Sequence, residues 1–510
     1  MRHTTHRHRR MRAVLFVGAG AMALSAAMPA RADDAPISAA GAQAVEQQVH
    51  DWLAALIGPR ADIDARPLHV TAEDDHYRIE LPLASAFAPA AAAGVTIEGD
   101  PISAQLRPLD GGRWALDDVR APSPLRVGFQ VPGADGGTAT LTATVQRQDQ
   151  HAVLDPTLAT PSTWDATIEG YMSEMSGPAD AETRKTSVDE VTMHSRWEPA
   201  ADGRLTVRQD TESHLLATNA TMPTVGMVSV SVERVLATVR LDGVAPGEVA
   251  PFLHAVMDLA PVGLAAAKHG GDQAETPKLS DENKASVHAA LTALVGLMGG
   301  FDEHVTLENL RLSGSGMSGK LTKMVSGLSI ATPDGRVLIR FDLALDGLDS
   351  PDIPAGVFRK YLPRHIAIAP RIGGIPSADL RDLLLRAADS NGDDPLLQTQ
   401  ASALLAKGPL AVGIDDLSLD FGPATLRGKG EVRFSTMDQY EGEAHIVATG
   451  LDELIKQANK TPELKDAAPV LFMAKGMGRQ DGGKTIWDVT YHEGKMLING
   501  NDMSGMMPGK

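Results

Sequence analysis

Apolar residues alternate with polar ones along many short stretches of this chain, a pattern typical of strands in a sheet with one covered face. In the first third of the chain the clearest stretches are residues 68–72, 77–83, 102–106, 114–116 and 139–145. The sequence Asp-Gly-Gly at 110–112 separates two of these stretches, and such a glycine pair indicates a hairpin turn. The pattern therefore predicts a meander of antiparallel strands.

The spacing of apolar residues changes to three or four in a few segments, which indicates amphipathic helices. The first helix is predicted to begin after Ser38, a good capping residue, and to end before Gly58. Its apolar positions are Val45, Val49, Trp52, Leu53 and Leu56. Further helices are predicted after Ser280, over residues 379–388 and over residues 451–459. The fold class that follows is α+β, a mostly antiparallel sheet with interspersed amphipathic helices.

Two later strands have one strongly apolar side and one mixed side. The residues on their apolar sides are Val337, Ile339, Phe341 and Leu343 in one strand, and Leu417, Leu419 and Phe421 in the other. The other sides include Arg340, Asp342 and Asp420. A sheet with one apolar face must cover that face with its own helices or with a ligand. We therefore predict that the seven apolar side chains form the floor of a groove.

Similar sequence segments recur about a hundred residues apart, and this recurrence predicts an internal duplication. The stretch Thr306–Gly316 resembles Gly413–Gly422, since both carry Leu-x-Leu and run into glycine. Gly243, Gly347 and Gly450 each end a predicted strand and precede a candidate helix, at spacings of 104 and 103 residues. A period of about 105 residues is too long for an ordinary solenoid repeat and suggests a duplicated sub-domain.

The N-terminal segment has the features of a secretory signal. Several arginines precede the apolar run from Ala13 to Met28, and small residues stand at Ala30 and Ala32. We expect cleavage after Ala32 and a periplasmic protein without a transmembrane segment. The alternative is an uncleaved segment that anchors the chain to the inner membrane. The predicted organisation is a signal peptide at 1–32, a helix and meander region at 33–160 and a β-rich region at 161–510.

The charge of the chain argues against one class of partner, and its cysteine content excludes one kind of stabilisation. The net charge is −18, and loss of residues 1–32, which contain six arginines and no acid, would make it −24. A chain this acidic repels phosphate backbones, so we expect no nucleic-acid partner. It contains no cysteine, so no disulfide can stabilise it in an oxidising compartment.

The motifs that resemble catalytic or ligand-binding signatures have simpler interpretations. Gly314–Gly319 reads G-x-G-x-x-G, but alternation typical of a strand follows it, where a dinucleotide site needs a helix. Asp389–Asp394 lacks the glycine and glutamate that an EF-hand requires at its sixth and twelfth positions. The thirteen histidines that follow residue 32 are widely spaced, and no G-x-S-x-G is present. We predict no cofactor, metal or catalytic residue, although a hydrolase with dispersed catalytic residues remains an alternative.

The C-terminal part resembles a known group of proteins. The phrases "ATGLDELIKQA" and "GKTIWDVTYHEGKMLING", together with the recurrent Leu-x-Leu strands, are similar to exported bacterial envelope proteins of the AsmA and YdgA type. The similarity is greatest to an alphaproteobacterial family described as a domain of unknown function, and it covers about residues 300–500. It implies a long antiparallel sheet with helices along it and, by analogy with the AsmA relatives, an apolar groove associated with lipids.

These observations together predict an exported, non-enzymatic envelope protein. Its sheet would offer an apolar groove to a lipid-like ligand or to another envelope protein. One alternative is a purely structural or interaction protein with a packed core, and another is the hydrolase mentioned above. An organic extract of the purified protein, or a structure showing whether the groove is open, would distinguish these hypotheses.

Overall fold

The computed structural model describes residues 37–57, 68–83, 95–130, 137–155, 160–177, 183–200, 202–222, 226–247, 249, 281–297, 299–314, 316–352, 362–389, 396, 399–400, 403–404, 407–435 and 439–503. The chain divides into two compact units, Met1–Glu169 and Gly170–Lys510. The predicted signal peptide and most of the candidate helices that follow Gly243 and Gly347 lie outside the described residues. The boundary predicted between residues 160 and 161 stays a prediction.

The described residues of the first unit form a long helix and a set of mostly short antiparallel strands. They are α1 (Ala39–Ile57), β1 (His69–Ala72), β2 (Tyr77–Leu81), β3 (Val95–Glu98), β4 (Ile102–Pro108), β5 (Trp114–Arg120), β6 (Leu125–Gln130), β7 (Thr138–Thr144), β8 (Arg147–Asp155) and β9 (Thr160–Ser176), which continues past the unit boundary. Strands β1, β2, β4, β5, β8 and β9 pair in that order, and β3, β6 and β7 form a second run of neighbours. The predicted hairpin across residues 110–112 is confirmed, since Pro108 pairs with Trp114.

The core of the first unit comes from the alternating apolar positions of these strands. Ile79, Leu106 and Leu116 are almost fully buried. Helix α1 begins as predicted, because the Ser38 hydroxyl accepts a hydrogen bond from the Gly41 amide at 3.1 Å. Its predicted apolar face is buried at Val45 and Val49, while the side chains of the other three positions lie outside the described residues.

The second unit is a long meander with helices inserted between some strands. Its strands are β10 (Thr183–Pro199), β11 (Leu205–Met222), β12 (Gly226–Val244), β13 (Gly300–Gly314), β14 (Met317–Ala331), β15 (Arg336–Asp346), β16 (His365–Pro376), β17 (Leu410–Asp420), β18 (Thr425–Phe434), β19 (Tyr440–Thr449), β20 (Arg479–Asp481), β21 (Lys484–His492), β22 (Lys495–Ile498) and β23 (Asn501–Asp502). The helices whose bounds the structure describes in this unit are α2 (Asp281–Leu297), α3 (Ser377–Asp389), α4 (Leu451–Lys460) and α5 (Ala467–Met477). From β10 to β19 every strand pairs antiparallel with the next along the chain, and β19 pairs with β21. The prediction of a β-rich α+β protein with mostly antiparallel strands is confirmed.

A line of irregular backbone crosses this sheet from β11 to the end of β15. Leu215 and Asn309 have positive φ of 50° and 53°, and Gly347 has φ of 67°. The pairings on either side place Asn309 between Glu233 and Thr322, and Thr322 beside Gly347. The Asn309 side-chain amide donates to Glu233 at 2.7 Å, which satisfies a polar group at this break. Gly347 therefore has a role in the sheet itself, because a side chain there would collide with Thr322.

The three glycines that suggested a duplication share a backbone conformation but not a location. Gly243, Gly347 and Gly450 all have φ between 67° and 71° and lie at strand ends. Strands β12 and β15 run in opposite directions, whereas β15 and β19 run in the same direction. Gly243 therefore lies at one rim of the sheet, and Gly347 and Gly450 lie at the other. Three strands lie between Gly243 and Gly347, whereas four lie between Gly347 and Gly450. The two intervals of about 104 residues therefore differ in topology, and the structure does not show an internal duplication.

Candidate functional site

Direct strand pairing in the second unit builds a continuous apolar row across twelve strands. Residues that pair across antiparallel strands lie on the same face of a sheet, so each row can be followed from strand to strand. The members of the row, from β10 to β22, are Trp197, Val207, Leu241, Phe301, Ile330, Ile339, Ile372, Val412, Val432, Gly442, Tyr491 and Met496. With about 4.8 Å between neighbouring strands, the row is about 50 Å long. We call the face that carries it the apolar face.

The row on the opposite face, one residue along each strand, is charged at most positions. Its members are Arg196, Arg208, Arg240, Asp302, Ser329, Arg340, Arg371, Gly413, Glu431, Glu443, Thr490 and Leu497. The sheet is thus sharply two-sided. Such a contrast requires water on one face and an apolar neighbour on the other.

The charged face is held together by ion pairs that run across the strands. Arg340 contacts Asp415 at 2.8 Å, Arg371 contacts the same carboxylate at 2.6 Å, and Arg371 also binds Glu431. Burial by itself lowers the pKa of Arg371, but its hydrogen bonds to Asp415 and Glu431 outweigh burial and raise it. These arginines are therefore occupied in structural contacts between β15, β16, β17 and β18.

The structure places six of the seven predicted groove residues on the apolar face. Ile339 is a member of the apolar row itself, and Val337, Phe341 and Leu343 alternate with Arg340 on the same side of β15. Leu343 and Leu417 lie in one cross-strand row, joined through Ile368 of β16. Leu419 lies two residues from Leu417 on that side of β17, whereas Phe421 lies in the turn after the strand. That these residues form the floor of a groove stays a prediction.

Strand β16 was missed in the sequence, although it separates the two predicted strands. It supplies Ile366, Ile368, Ile372 and Ile375 between β15 and β17. The signal was present in Ile366 and Ile368, which are two residues apart, but Pro370 and two glycines interrupt the alternation after them. The break coincides with an irregular register between Ile368 and Pro370.

The middle of the apolar face is exposed. Phe341 is 41% exposed, Ile372 is 44% exposed and Val412 is 39% exposed. Ile372 and Val412 pair directly, and Phe341 lies diagonally beside Ile372, so the three side chains form one patch. Covering their remaining surface of about 200 Å² would contribute on the order of 5 kcal/mol. An apolar ligand that covered this patch would therefore bind favourably.

An aromatic cluster marks one end of the apolar face. The rings of Tyr440 and Tyr491 stack with centroids 4.6 Å apart, and Phe434 lies 5.8 Å from Tyr440. The hydrogen bond with Tyr440 raises the pKa of Tyr491. The Tyr491 phenol therefore stays neutral at physiological pH, and the two tyrosines add polar hydroxyl groups to an otherwise apolar surface.

A separate polar cleft of about 440 Å³ lies on β12, β13 and β14. Two neighbouring cross-strand rows line it, Ser231–Arg311–Lys320 and Ser229–Ser313–Ser318. Lys320 is paired with Asp349 at 3.4 Å. Hydroxyl and cationic groups suit a small polar anion, but not an acyl chain. In the G-x-G-x-x-G sequence, Gly314 ends β13, Gly316 lies in the turn and Gly319 lies in β14 beside this cleft, as expected for a hairpin.

Two further features bear on the chemistry of the protein. In the part of the chain that the structure describes, histidine and acidic side chains form no group of three or more that could hold a metal ion. No helix in the described ranges is both long enough and apolar enough to cross a membrane.

Part of the second unit matches a known protein family. Residues 332–501 match a family described as "Uncharacterized protein conserved in bacteria (DUF2125)". The match covers β15 to β22, including the exposed middle of the apolar face, and nearly coincides with the stretch in which the sequence resembled a domain of unknown function. No curated protein and no solved structure matches the chain. A likeness to the AsmA and YdgA proteins is not shown.

Proposed function

We propose that the apolar face of the second unit binds a lipid-like ligand, and that the protein is a non-enzymatic component of the bacterial envelope. The observation that carries this proposal is the exposed patch of Phe341, Ile372 and Val412 in the middle of a two-sided sheet. A water-soluble sheet normally covers such a patch. The signal-like N-terminus supports export, since lipid-like molecules are abundant in the envelope.

The length of the apolar row suits an elongated ligand better than a compact one. An extended chain of carbon atoms could contact successive pairs of strands, gaining dispersion and hydrophobic energy at each. Recognition would depend on surface area and little on hydrogen bonds, because the apolar row offers few polar atoms. The expected ligand class is therefore broad, with acyl chains as its common feature.

The proposal is tested with the fluorescent apolar dye N-phenyl-1-naphthylamine and with organic extraction. Wild-type protein should bind the dye, and a lipid extract of the purified protein should contain acyl-chain molecules by mass spectrometry. The double variant Ile372→Ser, Val412→Ser should bind the dye about tenfold more weakly, since two apolar contacts are lost.

The matched control is Leu384→Ser, which removes a side chain of equal exposure, 43%, from helix α3. This variant should bind the dye as the wild type does. Equal affinities of wild type and double variant, or absence of both dye binding and extracted lipid, would refute the proposal and favour a structural protein with a packed core.

A further inference from the structure

Helix α5 exposes large apolar side chains on the side that faces away from the sheet. Phe472 is 69% exposed, Val470 is 59% exposed and Met473 is 51% exposed. Val470 and Met473 lie one turn apart, and Phe472 is the neighbour of Met473 on its other side, so the three side chains lie on the exposed half of this helix of 11 residues. We call Val470, Phe472 and Met473 the α5 patch.

The exposure of the α5 patch is built into the fold, because the other side of the helix is anchored to the sheet. Ala468 is 3% exposed. The indole of Trp487 donates to the Ala474 carbonyl at 2.9 Å, and the Asn499 side-chain amide donates to the Met477 carbonyl at 3.1 Å. The helix therefore cannot rotate to bury its apolar side without breaking these hydrogen bonds.

A second contact anchors α5 to its neighbouring helix. Lys475 forms an ion pair with Asp452 in the first turn of α4. Helix α4 in turn begins at Leu451, and its N-cap residue Gly450 directly follows β19. The α5 patch is thus presented by a helical hairpin that is attached at both ends to the rim of the sheet.

The anchor also connects the α5 patch with the apolar face. Trp487 pairs with Ile446 of β19, and that row continues through Gly428 to Leu417 and Leu343. The α5 patch therefore stands at the rim where this row of the apolar face ends.

We propose that the α5 patch inserts into the headgroup region of a zwitterionic lipid bilayer and so brings this rim of the apolar face to the membrane surface. The inference rests on the proposed function, since the bilayer would be the source or the destination of the ligand. A helix of 11 residues is about 16 Å long and too short to span a bilayer, but it can lie in the interface.

The size of the α5 patch favours a bilayer over a second copy of the chain. Its three side chains expose about 300 Å², whereas a stable protein interface buries about 800 Å² on each partner. A bilayer needs no such area, because a few apolar side chains can enter it independently of shape.

The charges beside the patch favour a zwitterionic surface over an anionic one. Lys465 and Asp466 are both exposed directly before the helix, so this rim offers a cation and an anion to headgroups that carry both. The net charge of the whole chain, −18, would oppose approach to an anionic membrane.

The test is flotation of the purified protein with vesicles of phosphatidylcholine and phosphatidylethanolamine. Wild-type protein should float with the vesicles, and the variant Phe472→Ser, Met473→Ser should partition at least about tenfold less. Leu384→Ser, on helix α3, should behave as the wild type. Absence of flotation by the wild type, or equal flotation by the α5 variant, would overturn the inference.

Because the chain contains no cysteine, a single introduced cysteine can be labelled specifically, which allows a second measurement. The single variant Phe472→Cys, labelled with an environment-sensitive fluorophore, should show a blue shift when vesicles are added, and Leu384→Cys should not. No shift at position 472 would overturn the inference, as would a dimer in light scattering that Phe472→Ser dissociates. Dye binding that persists in a protein that does not bind vesicles would reject this inference alone and leave the proposed function standing.

Discussion

Replacing Gly450 by alanine should destabilise the second unit far more than the same replacement at Gly335. Both glycines have φ of 71°, so the backbone strain from adding a side chain is the same at the two sites. At Gly335 an added methyl group would meet no atom within 4 Å. At Gly450 it would collide with the carbonyl oxygen of Pro423 and lie 3.0 Å from the Cα of Ala424.

The magnitudes follow from these two environments. A left-handed conformation costs an alanine about 1–2 kcal/mol, which is the whole effect expected for Gly335→Ala. The collision at Gly450 is with backbone, which cannot rotate away, so the strands must shift at a further cost of about 1–3 kcal/mol. The expected loss for Gly450→Ala is therefore about 2–5 kcal/mol.

Urea unfolding followed by circular dichroism measures the two losses. Hydrogen exchange of the α4 amides measures the local stability of this helix. The Gly450 carbonyl accepts the first hydrogen bond of α4, from the Leu454 amide at 3.1 Å. Exchange in α4 should be at least about fivefold faster in Gly450→Ala than in Gly335→Ala. Equal losses of stability in the two variants would refute the reasoning, since backbone strain alone would then account for both.

Two further predictions concern the charged face. Arg371→Leu should lower the free energy of unfolding by about 1–3 kcal/mol, because Glu431 is largely buried and would lose a charged hydrogen-bond donor. The control Arg381→Leu, at an exposed arginine, should lower it by less than about 0.5 kcal/mol. Equal losses of stability in urea unfolding would contradict this prediction. The hydrogen bond from Arg208 holds the pKa of Asp210 below its usual value, so the ionised carboxylate stabilises the fold above about pH 4 and this contribution is lost as pH falls through the lowered pKa. Asp210→Asn should therefore be less stable than the wild type at pH 7, and the difference in urea midpoint should shrink in acid; a difference that does not change with pH would contradict this assignment.

Much of the local structure follows from the sequence, because it depends on residues close together in the chain. The two-residue alternation correctly placed Val337, Ile339, Phe341 and Leu343 on one side of a strand, since side chains of a strand alternate whatever its neighbours are. The cap at Ser38 is equally local. Such features need no knowledge of the partner strands.

The assembly of the apolar face depended on contacts that are distant in sequence. Alternation shows which residues of a strand share a face, but not which strand lies beside it or in which register. The isoleucines of β16 complete the face only because its hydrogen bonds place it between β15 and β17. The glycines at 243 and 347 fall on opposite rims for a similar reason, since an odd number of strand reversals separates them. Likewise, only the anchoring of α5 through Trp487 and Asn499 determines that Phe472 points away from the sheet, because a helix with apolar residues on several sides can bury any one of them.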